Sequence, residues 1–564
     1  MGARGTAAVL FLSTLIPAPA AAKKKSAPEP ARAFQQPIPT DQRIEHALNR
    51  LTFGACPGDA DRVRSAGLKK WIDLQLHPDR IAENPVLAGK LKTLDSLTMS
   101  SRELAANYPA LQMVRLMVNG SLPFPDDPDR RALLRRLGAR FDRQQQGNPA
   151  FSALIPPAQL RQLRTGTPEQ RLAAFLAIPE DQQDDALADL PPAVLQSIYP
   201  LASTDLRRKL DLASGPPQVV ARDLAAAKLL RAIYSNRQLE EVLTDFWFNH
   251  FNVFLDKGAD RYMVTAYERD VIRPRVLGKF RDLLEATAQS PAMLFYLDNW
   301  QSRAPQAPRG RAARAGLNEN YGRELMELHT LGVDGGYTQK DVTEVARCFT
   351  GWTIRQPQQG GEFFFNPRMH DPGEKIVLGV KIPAGGGKED GEKVLDILAH
   401  HPATANHISR LLAIRFVADD PPAALVDRMA HTFLKTNGDL RAVMKTMLDS
   451  KEFWSAGAYR SKMKSPFELV ASAVRAVQGD VDFARNLDNQ VAQLGEPLYR
   501  KLEPTGYSNS GTEWINSAGL LARMNFALNL ANNRVPGVKV DPAPGTEPGE
   551  PGGLWLGAPA FQKH

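Results

Sequence analysis

Apolar positions recur at intervals of three and four along most of the chain, as they do in helices that bury one face. Ile44, Ala47, Leu48 and Leu51 set this period in a first helix that begins at residue 41. It continues over 59–77, with a break at Gly67, and over 103–119, 221–254, 260–277, 280–290 and 291–300. Residues 318–352 carry it twice, on either side of a glycine turn, so they predict a helical hairpin. Further helices are predicted over 392–400, 404–417, 422–436, 440–448, 466–478 and 513–530. Between the hairpin and these helices the texture changes. Short β-branched and aromatic segments at 351–354, 362–366 and 375–380, punctuated by Gly and Pro, predict a small β-element. Residues 495–507, with two prolines, predict an extended crossing.

A second rhythm lies within 121–217. Prolines at 156/157, 168, 179 and 191/192 each open an amphipathic unit. Proline suits the first turn of a helix, where its missing N–H costs nothing. These units predict short stacked helices inserted in the main fold, as a spacer or docking element. The expected fold class is mainly α: a multi-helix globular core with a small β-hairpin element and an inserted set of short helices. The division reads as signal peptide 1–22, disordered leader 23–40, N-terminal core 41–120, insertion 121–217 and central core with the hairpin 218–354. The β-element follows at 355–390, then the C-terminal core at 391–530 and a disordered tail at 531–564.

Length and charge narrow the classes. At 564 residues the chain exceeds the roughly 250–300 residues that one core supports. The net charge of +8 is spread among acidic residues in helices, without the basic and aromatic clustering of a nucleic-acid groove. Arg4, the apolar run 6–16 and small residues up to Ala20 and Ala22 predict a secretory signal peptide and export to the periplasm or medium. No later apolar run is long enough for a transmembrane helix. The two cysteines, Cys56 and Cys348, leave open whether they pair. His46 reads as exposed or capping. GxSxG, P-loop, GxGxxG, HExxH and CxxC patterns are absent, which disfavours serine hydrolases, nucleotide enzymes and Rossmann oxidoreductases.

The hairpin is densest in groups that could do chemistry. On its first helix Asn320, Glu324 and Glu327 share a face. His329 lies roughly 140° round from Glu324 at about 100° per residue, so it joins them only if the last turn unwinds. Two readings stay open. In one, Glu327 pairs with Arg323, Asp341 caps the second helix and His329 bonds the turn. In the other, the hairpin anchors an acid–base or metal site. Glu324 and Asp371 are then the candidate catalytic carboxylates, and His250, Glu324 and His370 the candidate ligands of a divalent metal, since carboxylates with imidazoles suit Zn, Mn or Fe. Asn249 flanks His250 inside an aromatic helix end and needs a buried partner.

The stretches FWFNHFNV (246–253), NENYGRELMELHTLGVDGGYTQKDVTEVARCFTGW with its Trp352, HDPGEK, HPATANHISRLLAIRF, NGDLRAVMKTMLDSKEFW and KSPFELVASAVRAV together resemble the bacterial family known as domain of unknown function 1800, over about 43–530. The resemblance implies export but no agreed activity. It also implies a partner, since genes of the family often neighbour those of an exported phosphatase/sulfatase-like family. Two functions follow as expectations: a metal-assisted enzyme on an extracytoplasmic substrate, or a non-catalytic partner or assembly factor for that phosphatase/sulfatase-like protein.

Overall fold

A computed structural model describes residues 30–145, 155–305, 316–541 and 552–564. The signal-peptide segment, the first part of the leader, the Pro/Arg loop around 306–315 and part of the tail lie outside the described residues.

The chain is mainly α, and among the described residues its strands form three two-stranded antiparallel sheets. One apolar core runs from Phe34 to Leu556 and takes in nearly every major helix outside the insertion. Local chemistry explains most boundaries. Gly67, at φ +86°, separates Asp59–Ala66 from Leu68–Leu76. Asp439 caps Leu440–Leu448 by accepting from the Ala442 N–H at 3.0 Å. Helix Pro466–Ala476 begins with a capping box between Ser465 and Glu468.

Three expected helices break. Residues 103–119 form Ser101–Asn107 and Leu111–Val118, because Pro109 forbids helical backbone at Tyr108. Residues 221–254 form Pro216–Tyr234 and Gln238–His250, joined by a tight turn that Gln238 stitches through the Ala232 and Ser235 carbonyls. Residues 260–277 pass from α-helix into a π-helical stretch, Tyr267–Ile272, which turns Tyr267 and Glu268 inward.

The insertion follows the proline rhythm. Pro157–Thr165, Pro168–Leu176 and Pro192–Ile198 start on proline, and Glu180–Asp189 follows Pro179. Leu163, Phe175, Leu187, Ile198 and Leu210 belong to a separate apolar cluster. Its junction with the core combines ion pairs with apolar contact: Arg208 grips Asp223 at 2.8 Å, Arg207 reaches Asp482 at 2.8 Å, Arg222 pairs with Asp211, and Leu212 packs in a small cluster with Tyr108, Val220 and Tyr262.

The β-element consists of two hairpins: β1 (Trp352–Ile354) with β2 (Phe363–Phe365), and β3 (Lys375–Val377) with β4 (Val380–Ile382). The expected disorder at the ends needs correction where residues are described. Ile38, within the leader, is buried and donates its N–H to the Trp454 carbonyl at 3.0 Å. In the tail, β6 (Val538–Lys539) pairs with β5 (Asp480–Val481). Residues 562–564 run along 462–464, and Gln562 accepts from buried Arg523 at 3.1 Å. Proline and glycine made these segments look featureless, yet buried contacts from distant residues hold them.

Candidate functional site

The helical hairpin is held by its own side chains. Glu319–Glu327 and Gln339–Cys348 cross so closely that a Cβ at Gly322 would lie 3.1 Å from the Ala346 nitrogen and the Val342 oxygen. Thr338 and Asp341 form a capping box on the second helix, as expected. Glu327 does not pair with Arg323: it accepts from the Tyr337 hydroxyl at 3.0 Å, while Arg323 donates to Gln339 at 2.9 Å. Glu324 is half-buried, and burial with the adjacent Glu327 raises its pKa. Asn320 is exposed. Trp352 is fully buried, edge-on to Phe349 at 4.9 Å between ring centroids.

The last turn of the first helix unwinds, with the His329 N–H reaching the Glu324 carbonyl at 3.0 Å. The imidazole then turns to His250 rather than to Glu324. The two rings lie 6.1 Å apart, His407 lies 6.4 Å from His250, and His250 Nε2 meets the His329 carbonyl at 3.1 Å. Burial lowers the pKa of His329 to about 3. Burial, then His329 and His407, hold His250 well below its usual range.

His370 and Asp371 belong to a different cluster, under the β-element. The His370 ring sits between the Thr350 carbonyl (2.8 Å) and Asp390 (3.2 Å). Buried Lys375 donates to Asp390 at 2.5 Å, and Arg347 grips the two Asp371 oxygens at 2.8 and 3.2 Å. The structure thus does not assemble His250, Glu324 and His370 into one donor set. Among the described residues no group of three or more His, Cys, Asp or Glu side chains is placed to hold a metal. His46, expected to be exposed or capping, is buried and bonded to the Phe453 carbonyl at 2.8 Å.

A richly charged pocket lies elsewhere, where several of the resemblance-bearing stretches meet. Helix Gln238–His250 brings Asp245, Phe248 and Asn249; helix Pro402–Phe416 brings Arg415; the stretch before and into Pro466–Ala476 brings Lys462, Ser465 and Glu468. The crossing at 495–507 adds Glu496, Tyr499 and Tyr507, and Trp514 completes the wall. Its ion pairs are short: Lys228 with Asp245 at 2.7 Å, Arg415 with Glu468 at 2.5 Å, and Lys462 with Asp419 at 2.5 Å. Burial, and then the charge of Asp245, push Glu496 up to about 8, although its oxygen accepts the Phe467 N–H at 2.8 Å. Burial brings the Lys462 amine down to about 8. Tyr499 adopts φ +61°, a region costly for an aromatic residue, and donates its hydroxyl to Glu268 at 2.6 Å.

Asn249 and Asn252 find their partners here. Asn249 binds Tyr507 through both its N–H (2.6 Å) and its carbonyl (2.7 Å), and Asn252 holds the carbonyls of Lys501 and Glu503 at 3.0 and 2.9 Å. They clamp the crossing against the helix end. Sequence reasoning missed Lys228, Asp245, Arg415, Lys462, Glu468 and Glu496, because a charge on a helix ordinarily reads as solvated. For Asp245, Arg415, Lys462 and Glu468 the available signal was their position within or beside the resemblance-bearing stretches; Lys228 and Glu496 lie outside them.

The fold and site define a helical protein with a buried, charge-paired pocket and an appended helical insertion. The family model described as protein of unknown function (DUF1800) matches residues 46–554. The chain belongs to that family. No curated protein and no solved structure matches it.

Proposed function

We propose that the chain is an exported acid–base enzyme whose substrate is a small polar solute bound in the pocket around Glu496. One arrangement carries the reading. Residues far apart in the chain deliver three carboxylates and three cations to one pocket, and one of those carboxyls, Glu496, keeps its proton up to about pH 8. A protonated acid near a paired carboxylate is the division of labour that acid–base catalysis uses. Glu496 is the proton donor in this reading, and Asp245, fixed by Lys228, is its counterpart. Asp371 and His370 then serve to brace the β-element. Export rests on the N-terminal segment.

A melting-temperature screen of polar solutes tests the reading. A solute that stabilises the wild-type chain should lose its effect in Glu496→Gln and in Asp245→Asn. The reading fails if the solutes that bind stabilise both variants as well as they do wild type.

One observation favours a second reading, a non-catalytic partner of another exported protein. Helix Ser517–Ala531 turns Leu520, Leu521, Met524 and Leu528 to solvent, with Leu521 62% exposed. Apolar patches of this kind mark interaction faces.

A further inference from the structure

A second pocket lies on the other side of the stretch 462–464. Met463 lines the pocket around Glu496, whereas the next side chain, Lys464, lines a pocket with Glu45, Arg460, Trp555, Phe561 and Lys563. Successive residues of an extended segment face opposite ways, and Met463 pairs antiparallel with Lys563. Lys464 is buried, and its Nζ sits 3.9 Å above the Phe561 ring. It is in no ion pair among the described residues. Glu468, the carboxylate that acts on it electrostatically, is occupied by Arg415 at 2.5 Å and by the Ser465 N–H at 2.8 Å. Glu45 is taken by Arg460. A buried lysine without a carboxylate partner is unusual, since an isolated ammonium is costly to bury.

We infer that Lys464 is a nucleophilic amine that forms an imine with carbonyl compounds bearing an acid group, in the pocket walled by Phe561 and Trp555. Nζ attacks the carbonyl carbon, the oxygen leaves as water with the two amine hydrogens, and a C=N bond replaces C=O. Lys563 lines the same pocket and provides a cationic partner for the acid group, beside Arg460, which is paired with Glu45. Burial supports the role by lowering the Lys464 pKa to about 7, with Arg460 and Arg523 adding to the shift. About half of the amine is therefore unprotonated near pH 7, where an ordinary lysine is almost wholly protonated.

The test uses the full chain with glyoxylate as the anionic aldehyde and cyanoborohydride as the trap at neutral pH, followed by peptide mass mapping. Lys464 should carry the adduct at least about tenfold faster than any other lysine, as its larger neutral fraction requires. Acetaldehyde, which lacks the acid group, should label it more slowly, and Lys464→Arg should remove the fast adduct. Adducts spread evenly over the lysines, or absent from Lys464, overturn the inference. Equal labelling by acetaldehyde overturns the preference for an acid group. The wild-type map decides both points even if the variant fails to fold.

Discussion

At the scale of single residues, Glu496 ties the pocket to stability. Its ordinary pKa is 4.5, and in the folded chain it lies at about 8. The folded state therefore holds the proton more tightly than the unfolded one. That contribution is fully present below pH 4.5 and is lost as pH rises through about 8. The urea midpoint of the wild-type chain should fall across this window, and Glu496→Gln should flatten the fall. A variant whose midpoint declines as steeply as wild type would show that Glu496 is ionised when folded. The same residue shows why the pocket was hard to read from sequence. Nothing about Gly-Glu-Pro says that the carboxylate is buried beside Asp245.

At the scale of elements, the crossing at 495–507 depends on two asparagines. Asn249 meets Tyr507 with two hydrogen bonds, and a Cβ at Gly506 would lie 2.2 Å from the Asn249 carbonyl oxygen. Asn249→Ala removes both bonds and leaves the Tyr507 backbone groups unsatisfied. The cost should be roughly 1–3 kcal/mol by denaturant titration. Amide exchange should quicken most in 499–507. Uniform acceleration along the chain would mean that Asn249 does not clamp this element specifically. Helices whose apolar period was regular, such as Leu440–Leu448, were legible to the residue. Those that crossed a proline or a side-chain stitch were legible only as helical regions.

At the scale of the whole molecule, the insertion keeps its own apolar cluster and meets the core through arginine–aspartate pairs beside a small apolar contact at Leu212. Partly exposed ion pairs weaken as salt screens them, whereas apolar packing does not. Raising salt from about 0.05 to 1 M should therefore quicken amide exchange at the junction helix Thr204–Ser214 while leaving Pro216–Tyr234 protected. Equal protection of both helices at both salt concentrations would show that the apolar contact at Leu212, and not the ion pairs, holds the joint.

The sequence by itself determined the helical class, the proline-initiated insertion, the capping of the second hairpin helix and the family. Each of these depends on interactions among neighbours in the chain, where periodicity and cap chemistry act directly. Tertiary structure alone decided which charged residues meet. It separated His370 and Asp371 from Glu324, turned His329 toward His250, and brought Lys228, Asp245 and Glu496 into one pocket. It also folded the expected tail against 462–464. The physical reason is range: a helix face shows that a side chain turns inward, but long-range packing selects the partner it meets there.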